Sequence, residues 1–273
     1  MTLELVNAAP HPALGGAVVR YTGYAERAAA PVVFRELPCT YVPLIIDLAD
    51  GWRIADVRRP DRPPERLGSF VAGLTEGPVL VEHPGSARCL QVDLTPLAAR
   101  RLLGVPMAEL ANRSVAVEDV LGPSWRLLAE RLDAAPSWEA RFGLVERALA
   151  ARLADAPPAD PGVAWALGRL SRGGVAVGEL ARELGWSHRR LIARFRDGVG
   201  LAPKAVARIL RFERLTALVE SDPRVPWARA AAACGFYDQP HLAREVRELA
   251  GLTPTALRAD RVNSVQDPGR EAA

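Results

Sequence analysis

The sequence is poor in the residues that build disulfides and metal centres. Its 273 residues hold 3 cysteines and 4 histidines. Cys39, Cys89 and Cys234 are odd in number, widely spaced and free of any CxxC pattern. That points to reduced thiols and away from a disulfide framework or a zinc site. His11 and His83 stand alone, so no clustered metal site is expected, and His83 with Glu82 reads as the end of a surface strand. No run approaches the roughly 18 apolar residues of a membrane span. The opening MTLELVNAAPHPALGG has no basic segment leading into an apolar core, so no secretion signal is expected and the chain reads as cytoplasmic. Also missing are a GxSxG elbow, a phosphate-cradling glycine loop and any carboxylate or histidine cluster at catalytic spacing. The expectation is a non-enzyme with no cofactor and no metal.

What is present is a balanced soluble composition, 49% hydrophobic and 25% charged, over a length that suits one large domain or two ordinary ones. Lysine is almost absent: Lys204 stands against 34 arginines, so arginine richness alone carries little weight. The distribution of charge says more than the total of +3. Residues 163–261 hold 17 basic and 10 acidic side chains, a net of +7, and the rest of the chain nets −4. A compact basic region is the electrostatic footprint of a polyanion partner, although a solvated arginine-rich helix surface has the same composition.

The chain punctuates itself at 155–161, DAPPADP, which holds three prolines and no large apolar residue and reads as a linker. Before it, residues 1–154 read as a regulatory or dimerisation domain in two parts. From 17 to 94, short β-rich runs such as TYVPLIIDL and ARCLQVDL are bounded by Pro, Gly or Asp. From 95 to 154 the periodicity becomes helical, and Phe142, Val145, Leu149 and Leu153 form an apolar stripe. That stripe is either a dimer face or a surface packed on the β unit. Tyr21, Tyr24, Phe34, Tyr41, Trp52 and Phe70 are either core or the lining of an effector pocket.

Beyond the linker the pattern is helical and it repeats. LARELGWSHRRLIARFRDGVGLAPKAV aligns with AAAACGFYDQPHLAREVRELAGLTPTAL. Gly185 matches Gly235, Trp186 matches Phe236, Leu191 matches Leu242 and Phe195 matches Val246. The glycines are 50 residues apart and Pro203 and Pro254 are 51 apart, so the second copy carries one extra residue after its turn. Tandem copies of one unit are a strong organisational signal. Each copy reads as a helix-turn-helix. A small residue (Ala181, Ala231) permits a close crossing, a glycine takes the turn, and Ser187 or Asp238 caps the next helix.

Burying Leu191 and Phe195 leaves Ser187, His188, Arg189, Arg190, Ile192, Ala193 and Arg196 on the other face of the first such helix. In the second, Gln239, His241, Ala243, Arg244 and Arg247 face outward. Arginine can pair with guanine O6 and N7, glutamine with adenine, and small or apolar side chains with a thymine methyl, while other arginines hold phosphates. These are the expected DNA-binding residues. Pro240 lies in the first turn of the second helix, where proline is tolerated, and leaves copy two less polar surface for reading bases.

On these residues, 162–261 resembles the DNA-binding domain of AraC/XylS-type transcription regulators. GFYDQPHLAREVRELAGLTPTALR resembles the family signature along its length, with Leu242, Val246 and Leu257 where aromatic residues are commoner. The resemblance implies an α+β protein, with a cupin-like β-barrel and trailing helices followed by two helix-turn-helix units joined by a connecting helix. KAVARILRFERLTALVES fits that helix: about 17 residues give roughly 25 Å, which suits recognition helices about one DNA turn, roughly 34 Å, apart.

It further implies a sequence-specific regulator whose partner is double-stranded DNA. A small-molecule effector and a homodimer through the N-terminal domain belong to the same implication, with RNA polymerase as a partner of an activator. A non-specific architectural DNA-binding protein and a cupin-type enzyme fused to a DNA-binding domain remain as alternatives. Residues 262–273 read as a flexible tail, and 163–273 is expected to fold as a separate module.

Overall fold

The computed structural model describes residues 2–266. Among them the strands are β1 (Thr2–Ala8), β2 (Val18–Arg27), β3 (Val32–Glu36), β4 (Val42–Asp47), β5 (Trp52–Asp56), β6 (Glu65–Leu67), β7 (Phe70–Ala72), β8 (Val79–His83), β9 (Ser86–Leu94) and β10 (Ser114–Ala116). They form two antiparallel sheets, a six-stranded one ordered β1-β2-β9-β4-β7-β10 and a four-stranded one ordered β3-β8-β5-β6. The β unit is wider than the sequence pattern implied. β1 precedes residue 17, and β10 lies inside the stretch read as helical, where Val115 pairs with Val71. Three residues are too few to show a period, so only the sheet edge selects that strand.

The six-stranded sheet is buried on both faces, which is why β4 and β9 are nearly continuous apolar runs. Leu44, Ile46, Leu90 and Val92 face a large core shared with the helices. Ile45, Ala87 and Cys89 point the other way and meet Trp52 and Ile54 of the second sheet in a smaller core. Here His83 departs from expectation. It is only 1% exposed, packed among Tyr24, Phe34 and Trp52 with ring centroids 5.5–6.3 Å apart. Its Nδ1 accepts the Gly85 N–H at 3.2 Å, so Nε2 carries the hydrogen and donates to the buried Glu26 at 3.0 Å. A polar side chain that finds partners for both ring nitrogens can be buried, and no sequence pattern announces those partners. The other aromatics are mostly core: Tyr21, Trp52 and Phe70 are buried, and Tyr24 and Phe34 pack on the smaller cluster. Tyr41 is half-buried beneath Arg20, whose guanidinium lies 5.4 Å from the ring centroid.

The helices are α1 (Pro96–Leu103), α2 (Val117–Leu121), α3 (Ser124–Asp133), α4 (Trp138–Asp155), α5 (Pro161–Arg172), α6 (Val177–Glu183), α7 (His188–Val199), α8 (Pro203–Ser221), α9 (Trp227–Cys234), α10 (Gln239–Ala250) and α11 (Pro254–Gln266). PMAELAN, read as helical, makes only a 3-10 turn at Met107–Glu109. Helix α11 runs past the expected end at 261, and residues 267–273 of the expected tail lie outside the described residues. Among the described residues no helix is long and apolar enough to cross a membrane.

The stripe on α4 is resolved against the dimer face. Phe142, Val145, Leu149 and Leu153 are all buried within the single chain, and Phe142 lies 5.9 Å from Tyr21 on β2. Each such side chain contributes roughly 1.5–3 kcal/mol by leaving water, and that gain is already taken by the β unit. The helix begins at Ser137, whose Oγ accepts the Ala140 N–H at 3.2 Å.

The linker divides the chain in sequence but not in packing. Asp160 Oδ1 accepts the N–H groups of Gly162 and Val163 at 2.8 and 3.1 Å, and Oδ2 takes Arg194 Nε of α7 at 2.7 Å. Burial pushes the Asp160 carboxyl up, but Arg194 and the two cap donors outweigh it and hold it below the usual range. The core continues from Leu102, Met107 and Leu110 into Val163, Phe195, Val199 and Leu201. Across the same boundary Arg100 pairs with Asp197 at 3.3 Å. Thr40 donates its N–H and Oγ1 to the Glu213 carboxylate at 2.7 and 2.8 Å.

Met107 is fully buried at that boundary. Met107→Ala is expected to cost about 2–5 kcal/mol and to move one cooperative calorimetric transition of the whole chain. Two separate transitions, with only one displaced, would show that the regions unfold independently.

Candidate DNA interface

The two helix-turn-helix units close in the same way. In the first, α6 ends and the Trp186 N–H returns to the Ala181 carbonyl at 2.9 Å; in the second, after α9, the Phe236 N–H returns to Ala231, also at 2.9 Å. The turns need a left-handed residue, and Gly185 and Gly235 supply φ of 62° and 81°. Ser187 Oγ then accepts the Arg190 N–H at 3.2 Å, and Asp238 Oδ1 accepts the His241 N–H at 2.7 Å, so both caps form as the sequence indicates. Leu191, Phe195, Leu242 and Val246 are fully buried. Helix α8, 19 residues long, joins the units and spans about 28 Å at 1.5 Å per residue.

The opposite faces carry the expected residues. Ser187, His188, Arg189, Arg190, Ala193 and Arg196 are exposed on or beside α7, with Ile192 half-buried. Arg190 stacks on Trp186, its guanidinium 5.0 Å from the ring centroid. Gln239, Arg244 and Arg247 are exposed on α10. Among the described residues Arg189, Arg196, Arg244 and Arg247 form no ion pair, so their charges are free for a partner.

His241 is placed differently. It is half-buried, its Nδ1 accepts the Tyr237 N–H at 3.1 Å, and its Nε2 lies 3.1 Å from Glu245 Oε1. Both ring nitrogens are therefore occupied by the protein. This placement has a physical source: His241 and Glu245 are four residues apart, on one face of the helix, and Glu245 is buried.

Sequence reasoning missed this Glu245 network. The carboxylate, on the core side of α10, meets Arg211 Nη2 at 2.7 and 2.9 Å and Arg208 Nε at 3.3 Å, both from α8. Arg208 also pairs with Glu248. A glutamate between Leu242 and Val246 on a buried face was the available signal; its arginine partners lie more than 30 residues away. The basic side chains thus divide into those spent inside the domain (Arg194, Arg208, Arg211) and those left outward.

Among the described residues no group of three or more His, Cys, Asp or Glu could hold a metal ion. The three cysteines are free, and burial pushes the Cys39 thiol up to about 12 and the Cys89 thiol further in the same direction. A nucleophilic thiolate requires a shift the other way.

A family model described as a helix-turn-helix domain matches residues 180–260, which contain both units. A second, described as a domain of unknown function (DUF6597), matches residues 6–116. ToxT from Vibrio cholerae, in a structure with bound unsaturated fatty acid, is similar over 89% of this chain and 95% of its own, at 6% identity and a TM-score of 0.50. The chain carries a helix-turn-helix domain over 180–260 and shares its fold with ToxT.

An AraC-type regulator from Chromobacterium violaceum is 25% identical over 40% of this chain and 96% of its own, with a TM-score of 0.35. The C-terminal domain of AraT, a response regulator from Geobacillus stearothermophilus, is 18% identical over 37% and 85%, also at 0.35. No curated protein matches this chain.

Glu245 is 7% exposed at its side chain. Arg211→Ala leaves that charge short of its bidentate partner and should cost about 3–5 kcal/mol in urea unfolding. The paired change Arg211→Met with Glu245→Met should recover most of the loss. A single-variant cost near zero would show that Arg208 alone compensates the carboxylate.

Proposed function

We propose that this chain is a transcription regulator of the AraC/XylS type that reads duplex DNA sequence-specifically, with α7 and α10 each entering a major groove. The observation that carries the reading is the pair of identically closed units, each apolar inward and presenting unpaired arginines outward. Arg189 reads a base, Arg196, Arg244 and Arg247 hold phosphates or guanines, and Gln239 is the polar reader of copy two. His188, Ile192 and Ala193 complete the surface of α7, and Ser187 shapes its start. Copy one carries more of the base specificity, because Pro240 and the engaged His241 occupy the first turn of α10. A purely architectural protein would show strong salt dependence without sequence preference.

The test is selection of duplexes from a random pool by the purified protein. Arg189→Ala should then cost about 1–3 kcal/mol on the selected sequence and relax preference at one base pair. Equal losses on selected and random DNA would exclude base reading by Arg189.

A second element is effector response, supported by an open cleft of about 650 Å³ between the two regions. Arg196, Lys204 and Arg208 line one side, with Glu76 and Asn112 on the other. With Arg208 already paired to Glu245 and Glu248, Arg196 and Lys204 still outnumber Glu76 and favour an anionic small molecule, and ToxT, which shares the fold, was solved with an unsaturated fatty acid. Titration with oleate and with succinate, two carboxylates of different bulk, should raise the melting temperature for at least one, and Lys204→Ala should abolish the rise. No shift with either, or one that Lys204→Ala leaves intact, defeats the anion site.

The reading assigns no catalytic step. It includes a homodimer through the N-terminal domain on a surface other than α4, checked by sedimentation of the full chain. For an activator it includes contact with RNA polymerase.

A further inference from the structure

The two units differ by one residue, and the structure shows where it sits. In the first unit Trp186, which covers the turn, is followed directly by the cap Ser187. In the second, Tyr237 stands between Phe236 and the cap Asp238. Phe236 is 5% exposed and Tyr237 is 93% exposed, well beyond the next large apolar side chain, Leu127 at 61%. The inserted residue is thus an aromatic ring held almost wholly in water.

Its backbone is anchored. The Tyr237 N–H donates to His241 Nδ1 at 3.1 Å. Because Nδ1 accepts, the ring hydrogen is on Nε2, which donates to Glu245 Oε1 at 3.1 Å. Glu245 is in turn clamped by Arg211 and Arg208 of α8. Three successive contacts therefore fix the inserted residue to the connecting helix between the units. A loose surface bulge would need none of them, and the ring itself gains nothing from folding when it is this exposed.

The position is at the N-terminal end of α10, the end of a recognition helix that approaches the bases. Being ahead of the cap, Tyr237 lies outside the helix and so toward the groove's rim, where the sugar-phosphate strand runs. Tyrosine hydroxyls are among the groups that bind phosphate oxygens.

We propose that Tyr237 is a DNA-contacting positioning residue of the second unit, its hydroxyl donating to one backbone phosphate and its ring lying on the adjacent sugar. It sets the register of α10, whose first turn has few polar groups of its own. The proposal rests on the reading that α10 enters a groove.

The experiment uses full-length protein, the duplex selected by the wild type, and a random duplex. Tyr237→Phe and Tyr237→Ala should both melt like the wild type and both bind about 3- to 10-fold more weakly. The loss should be equal on the two duplexes, with an unchanged slope of affinity against salt, since no charge is removed. Single methylphosphonates placed along the site should reveal one phosphate whose neutralisation weakens the wild type but not Tyr237→Phe beyond its existing loss.

Wild-type affinity in Tyr237→Phe, a loss confined to the selected duplex, or the absence of any such phosphate overturns the proposal. Arg244→Ala separates this from failure of the wider reading. If Arg244→Ala weakens binding and Tyr237→Phe does not, α10 touches DNA without Tyr237. If neither does, the groove placement of α10 fails as well.

Discussion

The continuous apolar core that crosses the proline-rich linker is the constraint on which the rest depends, and α7 is where it acts. Leu191, Phe195 and Val199 are fully buried along the inner face of that helix. Asp197 reaches Arg100 of the N-terminal region, and Arg194 is held by the linker's Asp160. A recognition helix fixed on these sides has its rotation about its own axis set by packing. Only the remaining face, with Arg189 and its neighbours, is left to a partner. Orienting this face costs little further entropy on binding, because folding has already ordered the helix.

The second recognition helix is fixed by a different force. Its inner face combines apolar burial at Leu242, Val246 and Leu249 with one buried carboxylate, Glu245. Desolvating a carboxylate is costly unless strong partners surround it, and here two arginines and a histidine do so. The arrangement converts an electrostatic liability into an orientation lock between α8 and α10. It also explains why a helix rich in arginine on α8 adds little outward charge where Arg208 and Arg211 stand.

In the N-terminal region the six-stranded sheet has no solvent face at its centre. Helices cover one side and the smaller sheet covers the other, so strands such as β4 are apolar at successive positions. The Glu26–His83 pair and the ring of Tyr24 sit between the sheets, a polar group satisfied inside an aromatic layer. Contacts from this region reach both helix-turn-helix units: the Met107 turn and Arg100 face α7, and Arg35 donates to the Ala250 carbonyl at the end of α10 at 3.5 Å. A change in the β unit therefore has a physical route to either recognition helix.

The sequence by itself determined the tandem units, their turns, their caps and the split of each recognition helix into a buried and an exposed face. These are local properties: a glycine at positive φ, a side-chain oxygen three residues from an N–H, and apolar residues at i and i+4 are all written within a dozen residues. It also located the basic region, because charge adds up along the chain. Tertiary structure alone decided which charges remain free. Glu245 finds Arg211 from another helix, and Asp160 finds Arg194 across 34 residues. It alone decided that the α4 stripe covers the β unit, since an apolar stripe has the same pattern whatever it buries against. It alone buried His83, because satisfaction of the polar ring depends on Glu26, 57 residues distant in the chain. Patterning records that a face must leave water, and the three-dimensional packing decides what it meets.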